Sequence, residues 1–108
     1  MSPEQLYERR WAATLLTGTL ARLRRDFVAN GRAELFDLLE PHLWGVDTSV
    51  PYAQVATALM MTEVAVKGAM HRLRKSYREL LREEISQTVG LAEEVDEELQ
   101  HLRRVLAG

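Results

Sequence analysis

An all-α fold of about five helices, two of them paired as a helix-turn-helix, follows from three features of the sequence. Apolar residues recur at spacings of three and four along most of the chain. Helix-start and helix-stop residues punctuate those stripes. No stretch reads as a plausible strand. With 108 residues the chain has the size of one domain, and the expectation is a single helical domain over 1–108. Within it fall N-terminal helices at 3–44, a helix-turn-helix with a long second helix at 51–89, and an acidic C-terminal helix at 92–107.

Ser2-Pro3-Glu4-Gln5 places a hydroxyl cap before a proline at the first helical position and Gln three residues after the cap, so a helix begins here. Leu16, Leu20, Leu23 and Phe27 carry it on, and Asn30-Gly31 supplies residues that tolerate a left-handed C-terminus, giving an extent of roughly Pro3 to Ala29. Leu35, Phe36, Leu39 and Leu43 predict a second helix, with Pro41 able to kink or end it because its ring removes a backbone donor. The stretch 45–50 is polar, free of periodicity and reads as a linker.

Pro51 fixes a helical φ ahead of a third helix through Val55, Ala56 and Leu59. Thr62 then offers its hydroxyl as the cap of a fourth helix through Val66, Ala69, Met70, Leu73, Tyr77, Leu80 and Ile85, expected to run on to about Gly90. A fifth helix through Val95, Leu99, Leu102 and Leu106 has acids in its first turns and Arg103 and Arg104 near its end, matching the helix dipole.

The absence of cysteine removes disulfides and thiolate zinc sites, which suits a reducing cytoplasm. No apolar run is long enough for a membrane span and no signal-peptide pattern opens the chain, so a soluble cytoplasmic protein is expected. The formal net charge of -2 conceals an uneven distribution: residues 1–50 carry -1, residues 51–82 carry +4 and residues 83–108 carry -5. A basic middle is followed by an acidic tail.

Two helices joined by a short turn, the second basic and hydroxyl-capped, describe a helix-turn-helix. A rotation of about 100° per residue from Thr62 puts Val66, Ala69, Met70, Leu73, Tyr77 and Leu80 on one face of the fourth helix. Val64, Lys67, Gly68, His71, Arg72, Lys75, Arg78 and Arg82 fall on the other. In this motif the N-terminal half of the second helix reaches base edges, which falls to Lys67, His71 and Arg72, with Gly68 allowing close approach and Thr62, Glu63 and Val64 at the helix start completing the expected DNA-binding set. Arg74, Lys75, Arg78 and Arg82 lie further along, where phosphate contact is expected.

The run Tyr52-Ala53-Gln54-Val55-Ala56 through Leu59, then Met61-Thr62-Glu63, Val66-Lys67, His71-Arg72-Leu73-Arg74-Lys75 and Tyr77 to Ile85, resembles the C-terminal promoter-binding region of extracytoplasmic-function sigma factors. Pro3-Glu4-Gln5-Leu6-Tyr7-Glu8-Arg9-Arg10-Trp11 is similar to the segment preceding that region in a sigma-like subgroup. The resemblance implies recognition of the minus-35 element in double-stranded promoter DNA, docking on the flap of the RNA polymerase core, and an anti-sigma or other regulatory protein as a further partner. Such sequences commonly have Gly in the turn; this one has Met60, which carries a steric cost if a left-handed conformation is required there. Nothing corresponds to the N-terminal sigma domain that melts the minus-10 element, so the chain reads as a fragment or an isolated domain.

Other signals point elsewhere. Glu98-x-x-His101 has the spacing of carboxylate-bridged metal bundles, but a second copy is missing, and His42 and His71 share no ligand spacing with it. No metal site or cofactor is expected. Trp11, Trp44, Tyr7 and Phe36 are scattered and read as core or edge aromatics. No phosphate loop, nucleophile elbow or triad context is present, so the chain is not expected to be an enzyme. Two alternatives stand beside promoter recognition: a dimeric helix-turn-helix regulator that binds a palindrome, and a helical protein-interaction module without DNA binding. The acids from Glu93 to Glu98, beyond a hinge residue at Gly90, leave two readings: the last helix completes the core with its acids facing water, or it folds back along the basic fourth helix and restrains DNA binding.

Overall fold

A computed structural model describes residues 2–43, 51–87 and 92–107. Trp44, the 45–50 linker and Gly90 lie outside the described residues, as do the side chains of Ala92 and Glu93. The fold is all-α: α1 (Pro3–Ala29), α2 (Ala33–Leu39), a 3-10 turn (Glu40–His42), α3 (Tyr52–Leu59), α4 (Glu63–Ser86) and α5 (Ala92–Ala107). No strand occurs among the described residues.

α1 starts as its sequence requires. The Ser2 amide donates to Gln5 Oε1 at 2.9 Å and the Gln5 amide donates to Ser2 Oγ at 3.2 Å, a reciprocal capping box that satisfies two otherwise orphaned donors. It ends in a left-handed turn at Gly31, φ 70°, where the Arg32 amide reaches back to the Phe27 carbonyl at 2.8 Å and Gly31 to Val28 at 3.0 Å. Pro41 acts as expected, since α2 stops at Leu39 and the chain tightens into the 3-10 turn. Pro51 keeps the φ its ring imposes, -72°, but with ψ 159° it precedes α3 as an extended N-cap.

The chain divides into two compact units, Leu23–Ser76 and Met1–Arg22 with Tyr77–Gly108; α1 and α4 each contribute to both. In Leu23–Ser76, α2 packs on α3, and Leu23, Phe36, Leu39, Val55, Val66, Met70 and Leu73 are buried. Each such side chain contributes about 1.5–3 kcal/mol by leaving water. The Phe27 and Phe36 rings lie 5.4 Å apart, and Arg24 grips Asp37 with two hydrogen bonds of 3.0 and 3.1 Å. The hydrogen bonds from Arg24 hold the Asp37 carboxyl below its ordinary value. The other unit buries Ala12, Leu81, Ile85, Val95 and Leu102. Thr19, fully buried there, donates its hydroxyl to the Leu15 carbonyl at 2.8 Å, so its burial leaves no orphaned oxygen. Tyr77 turns its hydroxyl toward the Leu16 carbonyl at 3.5 Å, and burial pushes its pKa up to about 12.

Two expectations are corrected in α4. Its buried stripe continues from Tyr77 to Leu81 and Ile85, while Leu80 is only half-buried. The helix ends at Ser86 instead of reaching 89: Ser86 Oγ donates to the Glu83 carbonyl at 2.7 Å, a local bond that competes with helix continuation.

The turn between α3 and α4 settles the conformation of Met60. It is left-handed, φ 56° and ψ 41°, and alone in that among the described non-glycine residues. The Met61 amide donates to Ala56 at 2.9 Å and Met60 to Thr57 at 3.3 Å, the same pair of bonds that closes α1 at Gly31. With its side chain 95% exposed, Met60 gains no packing in return. Met60→Gly is expected to raise stability by up to about 1 kcal/mol in denaturant unfolding, while Gly31→Ala lowers it by a similar amount. A less stable Met60→Gly protein would contradict this account of the turn.

Candidate nucleic-acid interface

α4 begins where the left-handed turn delivers it. Thr62 is the cap: the Ala65 amide donates to Thr62 Oγ1 at 3.1 Å, and the Val66 amide to the Thr62 carbonyl at 3.0 Å. From that start the apolar stripe fixes the rotation of the helix. Val66, Ala69, Met70 and Leu73 face the core, and Glu63, Val64, Lys67, His71, Arg72, Lys75 and Arg78 are exposed. Gly68 sits half-buried among them, and an added Cβ would meet only the mobile end of Arg72, at 3.4 Å from Nη1.

Lys67, Arg72, Lys75 and Arg78 make no ion pair or side-chain hydrogen bond among the described residues. Other cations are committed. Arg22 bonds Glu83 and Glu84, each at 3.0 Å, and these hydrogen bonds raise its pKa. Arg82, expected among the phosphate contacts, pairs with Asp96 of α5 at 2.8 Å, with both side chains about half exposed. This ion pair joins the acidic helix to the basic one.

Arg74 is placed differently from its neighbours. It is half-buried, and Nη2 donates to the His42 carbonyl at 3.0 Å, tying α4 to the 3-10 turn after α2. His42 itself is buried with its ring 4.7 Å from that of Tyr52. Sequence reasoning grouped Arg74 with the expected phosphate contacts and did not see its partner, a backbone carbonyl 32 residues away.

Among the described residues no group of three or more His, Cys, Asp or Glu is arranged to hold a metal, and no helix is long and apolar enough to cross a membrane. The arrangement offers an unpaired cationic face on a rigid helix, with a helix N-terminus at one end and apolar Val64, 79% exposed, beside it. Compared with protein-family models, curated proteins and solved structures, the chain matches none.

Because Arg74 serves the fold, Arg74→Ala is expected to lower unfolding stability by about 1.5–3 kcal/mol, the range for a hydrogen bond to a charged group. Lys75→Ala and Arg78→Ala, made on exposed side chains, should stay within about 0.5 kcal/mol of the parent. Equal stabilities for all three variants would remove the distinction.

Proposed function

We propose that the chain binds duplex DNA through α4, as a sigma-factor C-terminal domain that reads the minus-35 promoter element while docked on RNA polymerase. The observation that carries this reading is the unpaired cationic face of α4, which starts at a Thr62-capped helix N-terminus directly after a tight left-handed turn. Lys67, Arg72, Lys75 and Arg78, without ion-pair partners among the described residues, concentrate positive potential on the outward side of the helix. The helix N-terminus, with its free amide dipoles, suits a phosphate near Thr62.

Roles follow from side-chain chemistry. Arg72 and Lys67 suit the paired acceptors of guanine, Glu63 the amino group of cytosine, and exposed Val64 a thymine methyl. His71 lies within the same reach. Lys75 and Arg78 suit phosphates. Arg74 holds the helix in place through His42 and adds charge from behind the face.

Binding of duplexes selected from a random pool, measured by fluorescence anisotropy across salt concentrations, tests the reading. Lys75→Ala or Arg78→Ala should weaken all sequences alike and flatten the salt slope by about one unit, whereas Arg72→Ala should cost about 1–3 kcal/mol and relax base preference. Absence of salt-dependent binding in the parent chain, or undiminished binding by all three variants, would sink the assignment.

Gly68 gives a second test. Inside a helix glycine is less stable than alanine, and there is room here for a Cβ. Gly68→Ala should raise stability by about 0.5–1 kcal/mol. Close approach of the backbone to a groove predicts weaker DNA binding by that same, more stable protein. Unchanged affinity would show that no duplex approaches the helix at this position.

A further inference from the structure

The unit formed by Met1–Arg22 and Tyr77–Gly108 contains an aromatic groove remote in kind from the cationic face of α4. Pro3, Glu4, Tyr7, Glu8 and Trp11 line it from α1, and Glu98 and His101 from α5. The α1 residues follow one helix face, since Glu4, Tyr7, Glu8 and Trp11 recur at spacings of three and four. The groove encloses about 560 Å³, within the range of binding clefts.

We infer that this groove docks the arginine side chains of a basic peptide segment on a partner protein. Its walls combine the two chemistries that hold a guanidinium. Trp11 and His101 pack with ring centroids 5.7 Å apart, and Tyr7, one turn earlier on α1, is 74% exposed. An aromatic ring held in water beside carboxylates is the arrangement that attracts a cation to its face. Glu4, Glu8 and Glu98 supply three carboxylates, and the lining includes no lysine or arginine. Glu8 lies beside His101, Oε1 to Nε2 at 3.5 Å, and stays 41% exposed.

The occupant is a peptide side chain for reasons of shape. The alkyl stem of an arginine can lie along Tyr7 and Trp11 while its head reaches the carboxylates. A planar guanidinium stacks on rings and donates bidentate hydrogen bonds to carboxylates, so arginine is favoured over lysine. The groove is larger than a single guanidinium needs and its Tyr7 wall is open to water, which lets a backbone pass alongside. The same carboxylates repel phosphate, so this inference does not depend on DNA binding by α4.

The test uses the whole chain labelled with nitrogen-15 and the indole resonance of Trp11, assigned by its loss in Trp11→Phe. The probe is an acetylated Gly-Arg-Gly-Arg-Gly peptide, compared with its Lys and Glu counterparts and with free argininamide. The Arg peptide should shift the Trp11 indole saturably with a Kd of about 1 mM or tighter. Glu8→Gln combined with Glu98→Gln should weaken it about tenfold, and Tyr7→Ala, on an exposed side chain, about fivefold, with Tyr7→Phe close to the parent. The proposal is overturned by the lack of a saturable shift, by an equal response to the Glu peptide, or by undiminished affinity in both the double variant and Tyr7→Ala. Free argininamide binding as tightly as the peptide would assign the groove to a small amine instead and also overturn peptide docking.

Discussion

The left-handed conformation at Met60 sets the start of α4, and the sidedness of that helix depends on it. The turn ends α3 with two backbone bonds to Ala56 and Thr57 and presents Thr62 as the next cap. A slip of one residue at this point would rotate every later side chain by about 100°. Lys67 would then turn toward positions occupied by Val66, and the buried stripe would point to water. The conformation is held by those bonds and by the apolar stripe of α4, against the preference of the Met60 side chain itself. Strain of this kind persists only where the surroundings over-determine the backbone.

The cations sort by whether the fold uses them. Arg22, Arg24, Arg74 and Arg82 are tied to carboxylates or a carbonyl, and those bonds join separate helices or turns. Exposed ion pairs of this type add little stability individually. Their effect is more on geometry, since each fixes the rotation or spacing of the elements it joins. Lys67, Arg72, Lys75 and Arg78 lack such partners among the described residues, so their charge is directed at solvent and at whatever approaches through it.

Features with local causes were legible in the sequence. The capping box at Ser2 and Gln5, the left-handed Gly31, the stop before Pro41 and the Thr62 cap each rest on bonds within a few residues, and each formed where its residues stand. The inner face of α4 was legible from Val66 to Tyr77 and again at Ile85. Beyond Tyr77 spacings of three and four both satisfy a 3.6-residue period, and packing selected Leu81 over Leu80. Long-range partners were not legible: Arg74 meets a carbonyl of the 3-10 turn, and Trp11 meets His101 across almost the whole chain. Periodicity also placed Leu106 on a buried stripe, yet it is 56% exposed. A pattern marks which face is apolar without marking where its cover ends.

Under the proposed reading, the change of sign along α4 also limits how much text one copy can read. After Arg78 the helix meets Arg82, already paired with Asp96, and then Glu83 and Glu84. The exposed cations from Lys67 to Arg78 therefore span about 17 Å at the rise of an α-helix. Under the proposed reading, that length matches at most about five base-pair steps of 3.4 Å. A word of five letters in a four-letter alphabet recurs by chance about once per thousand positions, far too often to single out one address among the ~10⁶–10⁹ competing sites of a genome. Such a reader supplies one short word of a longer address, and its selectivity must come from other words read at a fixed distance from it.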